Sequence, residues 1–227
     1  MGRLTPYVAH GPSDCSRDCE SIPIPTMDRA LRCTVAALAA AVLVGCGGDG
    51  PFGPGAASFD FSFERSLEGW EEDATDLDSP PVDWTVTRSD DRAELGGTSV
   101  RLTVNNVNDK AKIWIERAYT LRPNTTYRVD VTFDLATEDF GGANTWNVIA
   151  GVHAESPEVH EDLTFRGETG NGADSDVGYV WTERSHSFTA ATGDDGTLHT
   201  ALGVWGTFEV ERTYYIDDVR VVFRPTG

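Results

Sequence analysis

Tyr127-Arg-Val-Asp-Val-Thr-Phe133 alternates without a break: Tyr127, Val129, Val131 and Phe133 fall on one side, and Arg128, Asp130, Thr132 and Asp134 on the other. Period two with β-branched and aromatic residues describes a strand buried on one face. The same texture extends outward to Val100-Arg-Leu-Thr-Val104 and Ile113-Trp-Ile-Glu116. Further runs follow at Trp146–Val152, Tyr179–Phe188, Leu198–Trp205 and Tyr214–Phe223. No stretch of about 12 residues beyond the apolar leader keeps a helical period. Eight or more strands without helices predict an all-β domain, a jelly-roll β-sandwich over residues 58–224. Residues 153–178 break the pattern, being rich in Glu, Asp and Gly, and predict a long loop with one short strand about Leu163 and Phe165.

The amino-terminal part has another character. An apolar run, Val35 to Val44, follows Arg29 and Arg32 and ends in Leu43-Val-Gly-Cys46. A basic start, a short apolar stretch and a small residue before the cut describe an export signal over residues 27–45, too short to span a bilayer. The string Leu43-Val-Gly-Cys46 resembles the lipobox of bacterial lipoproteins, which implies that Cys46 becomes a lipidated amino terminus. In an organism with two membranes, Gly47 rather than Asp after that cysteine implies an outer-membrane address, and a cell-surface location is the other expectation. Residues 1–26 carry Asp14, Asp18, Glu20 and four prolines, unlike a signal, so Met27 is the expected start and 1–26 is upstream or disordered sequence. Residues 46–57 read as the lipid-bearing cysteine and a Gly/Pro tether.

Of the 227 residues, 37 are acidic and 18 basic, giving a net charge of −19. Four of each sign precede Cys46, so the whole excess lies beyond it. Such a surface repels phosphate backbones and anionic lipid headgroups, which disfavours nucleic acid, and no nucleic-acid partner is expected. The cysteines stand at 15, 19, 33 and 46, so the exported domain has no disulfide and depends on its core or a metal. Cys15 and Cys19 lack the second pair that a zinc site needs.

Four pieces in order carry a wider resemblance. Phe61-Ser-Phe-Glu64 with Leu67-Glu-Gly-Trp70 opens the domain, and Gly97-Thr-Ser-Val-Arg-Leu102 follows. Ala118 to Tyr127 joins two strands through a turn, and Tyr214-Tyr-Ile-Asp-Asp-Val-Arg-Val221 closes the domain. Together they resemble carbohydrate-binding modules with a galactose-binding-domain-like jelly roll. The resemblance implies that the first and last strands are neighbours. It also implies a structural Ca²⁺ held by Glu64 and Asp217 or Asp218 with backbone carbonyls, only one of the two aspartates aiming at the ion.

Sugars stack on aromatic rings and hydrogen-bond to polar groups beside them. In the run from Leu198 to Trp205, Leu198, Leu202 and Val204 form the apolar side, which sends His199, Ala201, Gly203 and Trp205 outward. Small neighbours would leave a shelf over Trp205. By the same parity Trp114 and Glu116 oppose Ile113 and Ile115. Trp146 and Trp181 are further candidates whose faces alternation leaves open, whereas Trp70 is expected to pack under the first strand. His153, His160, His186 and His199 show no metal-ligand spacing.

Neither a Gly-x-Ser-x-Gly elbow nor a His-Glu-x-x-His helix occurs, so a non-catalytic protein is expected. The expectation is a membrane-anchored, exported lipoprotein with a carbohydrate-binding sandwich. The alternative is a structural or assembly lipoprotein whose sandwich binds protein. The two differ in what they need: exposed aromatics along a sheet, or a broad apolar patch.

Overall fold

The computed structural model describes residues 55–137, 146–169, 179–206 and 210–227. The start at Met27, the export signal, Cys46 and the tether up to residue 54 lie outside the described residues. Eleven strands fill the described part: β1 (Ala57–Phe61), β2 (Glu71–Thr75), β3 (Trp84–Ser89), β4 (Ser99–Asn105), β5 (Lys112–Thr120) and β6 (Thr126–Thr137). Then come β7 (Trp146–His153), β8 (Phe165–Thr169), β9 (Val180–Ala191), β10 (Thr197–Gly206) and β11 (Glu211–Pro225). A 3-10 turn at His160–Asp162 lies between β7 and β8.

The strands form two antiparallel sheets of a jelly-roll sandwich. One has six strands, β3-β4-β11-β6-β9 with β1 also on β11, and the other five, β2-β5-β10-β7-β8. First and last strands are neighbours: Ala57–Phe61 pairs with residues 219–223. The chain passes back and forth between the sheets, so each strand's inner side meets the other sheet. That is why the alternation of Tyr127 to Phe133 is so regular. Val129, Val131 and Phe133 are buried against Ile113, Ile115, Leu202 and Val204 of the opposite sheet in one core. Full burial of each such side chain contributes roughly 1.5–3 kcal/mol.

One end of the core is aromatic. Phe223 stands 4.9 Å from Tyr119 and 6.1 Å from Tyr127 between ring centroids, and Phe59 closes on both Tyr119 and Phe223. Trp70 packs edge-on against Phe61 at 5.4 Å, under the first strand. The described part of the 153–178 stretch carries one short strand, as expected, together with the 3-10 turn. β7 runs to His153, and β8 starts at Phe165.

Candidate functional site

Glu64 and Asp217 converge on one loop, between β3 and β4, and Asp218 does not. Glu64 Oε1 accepts the backbone N–H of Gly97 (2.8 Å) and Thr98 (3.2 Å). These two amides, with Arg88 nearby, hold its carboxyl below the usual range. Asp217, fully buried, accepts N–H groups from Glu94 (2.8 Å) and Leu95 (3.0 Å) on Oδ2 and from Asp218 on Oδ1. Both carboxylates therefore fasten the β3–β4 loop, Asp217 at its middle and Glu64 at its end. Asp218 sits at a register shift in β11, with φ of 43°, and its side chain is exposed.

Glu64 Oε1 and both Asp217 oxygens thus accept N–H groups, which point positive hydrogens where a cation would need lone pairs. The backbone carbonyls beside them are occupied as well. Phe63 O accepts Arg88 Nε and Thr98 Oγ1, and Glu64 O accepts Arg88 Nη2. Among the described residues no group of three or more His, Cys, Asp or Glu is arranged to hold an ion. The residues as placed do not fit the calcium cage that the resemblance implied, which requires six to eight oxygen ligands.

The outer face of the five-stranded sheet carries the residues that parity sent there, but not as an open shelf. Trp114 faces away from the core and is nevertheless fully buried, packed with Ile149, Leu163, Ala201 and Phe165. Its Nε1–H donates to Glu116 Oε2 at 3.0 Å, and Ser156 Oγ donates to Glu116 Oε1 at 2.5 Å. The small residues make room for the protein itself. A Cβ on Gly203 would lie 2.5 Å from Trp114 Cα, and one on Gly151 would lie 2.9 Å from Thr164 Cβ. The expected shelf beside Ala201 and Gly203 is therefore filled by Trp114 and by the segment leading into β8. Trp114 is a packing residue, not a surface one.

Trp205 lies at the rim of that cluster, half-buried. Its Nε1–H donates to Asp109 O at 3.1 Å, His160 and Phe165 stand within 5.5 Å, and Lys112 Nζ lies 4.7 Å from its ring centroid. Lys112 is itself only 3% exposed and donates to Asp76 Oδ2 and Lys110 O. At the other end of this face, His199 and Glu116 line a groove of about 270 Å³ with Glu71 and Arg117. His199 pairs across the strands with His153, whose pKa burial pushes down. Trp146 opens β7, and its side chain lies outside the described residues.

Trp181 has a different setting. It lies on the outer face of the six-stranded sheet, in a cross-strand row Tyr215–Ala136–Trp181. Small Ala136 lets the two rings approach to 6.4 Å, and Tyr179 stands edge-on to Tyr215 at 5.3 Å. Arg92, from the fastened β3–β4 loop, places its guanidinium 4.1 Å over the Tyr179 ring. The next row is Asp217–Asp134–Glu183. It borders a polar trough of about 200 Å³ lined by Asp60, Thr132, Asp134, Glu183, Asp218 and Arg220. Burial first, then Glu94, Asp218, Glu183 and Asp217, push the Asp134 carboxyl up to about 6. Half-buried Trp181 and Tyr179 thus stand one strand row from a trough of hydrogen-bonding groups. The sequence reading missed Tyr215, Asp134, Glu183 and Arg220. The polar side of the Tyr127–Phe133 pattern did mark Asp134, but only pairing shows what lies beside it.

No protein-family model matches the chain, and no curated protein matches it. Among solved structures the chain is similar to the CBM22-1 xylan-binding domain from Paenibacillus barcinonensis Xyn10C, at 14% identity over 74% of this chain and 95% of that one, TM-score 0.45. It is similar to TmCBM61, solved with β-1,4-galactotriose, at 14% identity over 70% and 92%, TM-score 0.43. The K1 cleaved adhesin domain of Lys-gingipain from Porphyromonas gingivalis W83 is a third, at 13% identity over 75% and 99%, TM-score 0.45. Identities and TM-scores this low carry no ligand from those proteins to this one.

Proposed function

We propose that this chain is an exported lipoprotein whose β-sandwich binds carbohydrate without cleaving it, on the outer face of the six-stranded sheet. The observation that carries this reading is the adjacency of the Trp181–Tyr179–Tyr215 aromatic row to the Asp134–Glu183–Asp218 trough. Aromatic faces take the C–H side of a pyranose, and carboxylates accept from its hydroxyls. The trough is smaller than the ~300–1,000 Å³ of common small-molecule pockets. It suits part of a glycan while the rest lies on the rings. Its carboxylates outnumber Arg220, so neutral sugars fit it better than uronic acids or sulfated ones.

The lipoprotein part rests on the Leu43-Val-Gly-Cys46 string at the end of the apolar run. The protein-docking alternative needs a broad apolar patch. Among the described residues the exposed large hydrophobics are Leu95, Val159 and Val210, on three different connections. That distribution favours the sugar reading.

A glycan array probed with the purified protein and with its Trp181→Ala variant tests the proposal. Retention on a neutral glycan that the variant loses is the expected result. Absence of any retained glycan, or equal retention by both proteins, would sink it.

A further inference from the structure

The β3–β4 loop is fastened by groups that converge from three elements. Glu64, after β1, accepts the amides of Gly97 and Thr98, and Thr98 Oγ1 returns a hydrogen bond to Phe63 O at 2.8 Å. The fit is close: φ at Gly96 is +76°, and a Cβ there would lie 2.2 Å from Glu64 Oε1. Phe63 itself has φ of 56°, in the left-handed region that a residue other than glycine rarely adopts. The Phe63 and Glu64 carbonyls of this turn are both taken up by one side chain.

That side chain is Arg88. From edge strand β3 its guanidinium donates from Nε to Phe63 O and from Nη2 to Glu64 O, both at 2.7 Å. The planar fork of donors matches two adjacent carbonyls, and its charge also helps to lower the Glu64 carboxyl, less than the two amides do. Two carbonyls held by one positive centre is what a hard cation would otherwise organise.

We infer that Arg88 takes the place of a structural cation, so that the fold closes at this corner without metal. The turn that Arg88 braces carries Glu64, which fastens the loop that brings Arg92 over Tyr179, so this corner also supports one border of the aromatic row. The inference does not depend on the ligand, because it concerns the corner and not the trough.

Thermal unfolding of the protein and two variants decides it. Metal-stripped wild type, assayed in EDTA and again in millimolar Ca²⁺, should melt at the same temperature. Arg88→Ala should melt about 6 °C lower or more, from the loss of two charge-assisted hydrogen bonds in a domain of this size. Arg88→Lys, which keeps the charge but not the fork, should fall between, and it serves should the alanine variant fail to fold. A wild-type melting temperature that drops in EDTA or rises with Ca²⁺ would overturn the inference. So would an Arg88→Lys protein melting with the wild type.

Discussion

Trp181 and Tyr215 approach each other over Ala136, ring centroids 6.4 Å apart, on the outer side of the six-stranded sheet. Tyr215 is 5% exposed, whereas Trp181 is only half-buried. The tyrosine is thus the base of the row and the tryptophan its accessible ring. Trp181→Ala is expected to weaken glycan binding at least about tenfold, equivalent to ~1.4 kcal/mol. It should change the melting temperature little. A variant that loses stability and keeps its affinity would show that Trp181 serves packing alone.

Trp114 should behave in the opposite way. It is fully buried with Ile149, Leu163 and Ala201, and it orients Glu116. Trp114→Ala should cost about 3–5 kcal/mol of stability, the range for truncating a large buried aromatic. Gly203→Ala should also destabilise, because its Cβ would lie 2.2 Å from Ile113 O. Chemical denaturation of both variants measures this. A midpoint unchanged from wild type in either would mean that the cover over this face is looser than described.

The contrast between these two tryptophans shows what could be read from the residues. Parity placed Trp114 opposite Ile113 and Ile115, because those isoleucines mark the core side of β5 unambiguously. Parity could not place the cover. Leu163 and Ser156 belong to a stretch without periodicity, and only the folded chain brings them to Trp114 and Glu116. On β9 the signal failed earlier, since its inner side carries Arg184 and His186 next to Phe188 and so lacks polar contrast. Arg88 was invisible for another reason. The carbonyls it holds are 24 and 25 residues away, beyond any local spacing.

The anchor is open to a direct measurement. If Leu43-Val-Gly-Cys46 is processed as a lipobox, the wild-type protein made in a bacterial host should incorporate labelled fatty acid and partition with membranes. Cys46→Ala should do neither. Equal labelling of the two proteins would remove the lipoprotein part of the proposal and leave the sandwich reading untouched.

Asp134 offers a test in which the sign is fixed beforehand. Its carboxyl is raised from an ordinary 3.8 to about 6, by burial and by the carboxylates of Glu94, Asp218, Glu183 and Asp217. Between about pH 4 and 6 the native state therefore holds more protons than the unfolded one, and stability falls as pH rises through that window. Above it the ionised Asp134 is a constant burden. Below pH 4 the group is protonated in both states and costs nothing. Asp134→Asn removes the charge and keeps the shape. The variant should melt above wild type at pH 8 and with it at pH 4, solvent screening limiting the size of the gain. Because other groups titrate too, the variant-minus-wild-type difference is the quantity to follow. A difference that stays flat from pH 4 to 8 would show that the carboxylates around the trough do not press on Asp134, and with it the charge argument against uronic acids would lose its footing.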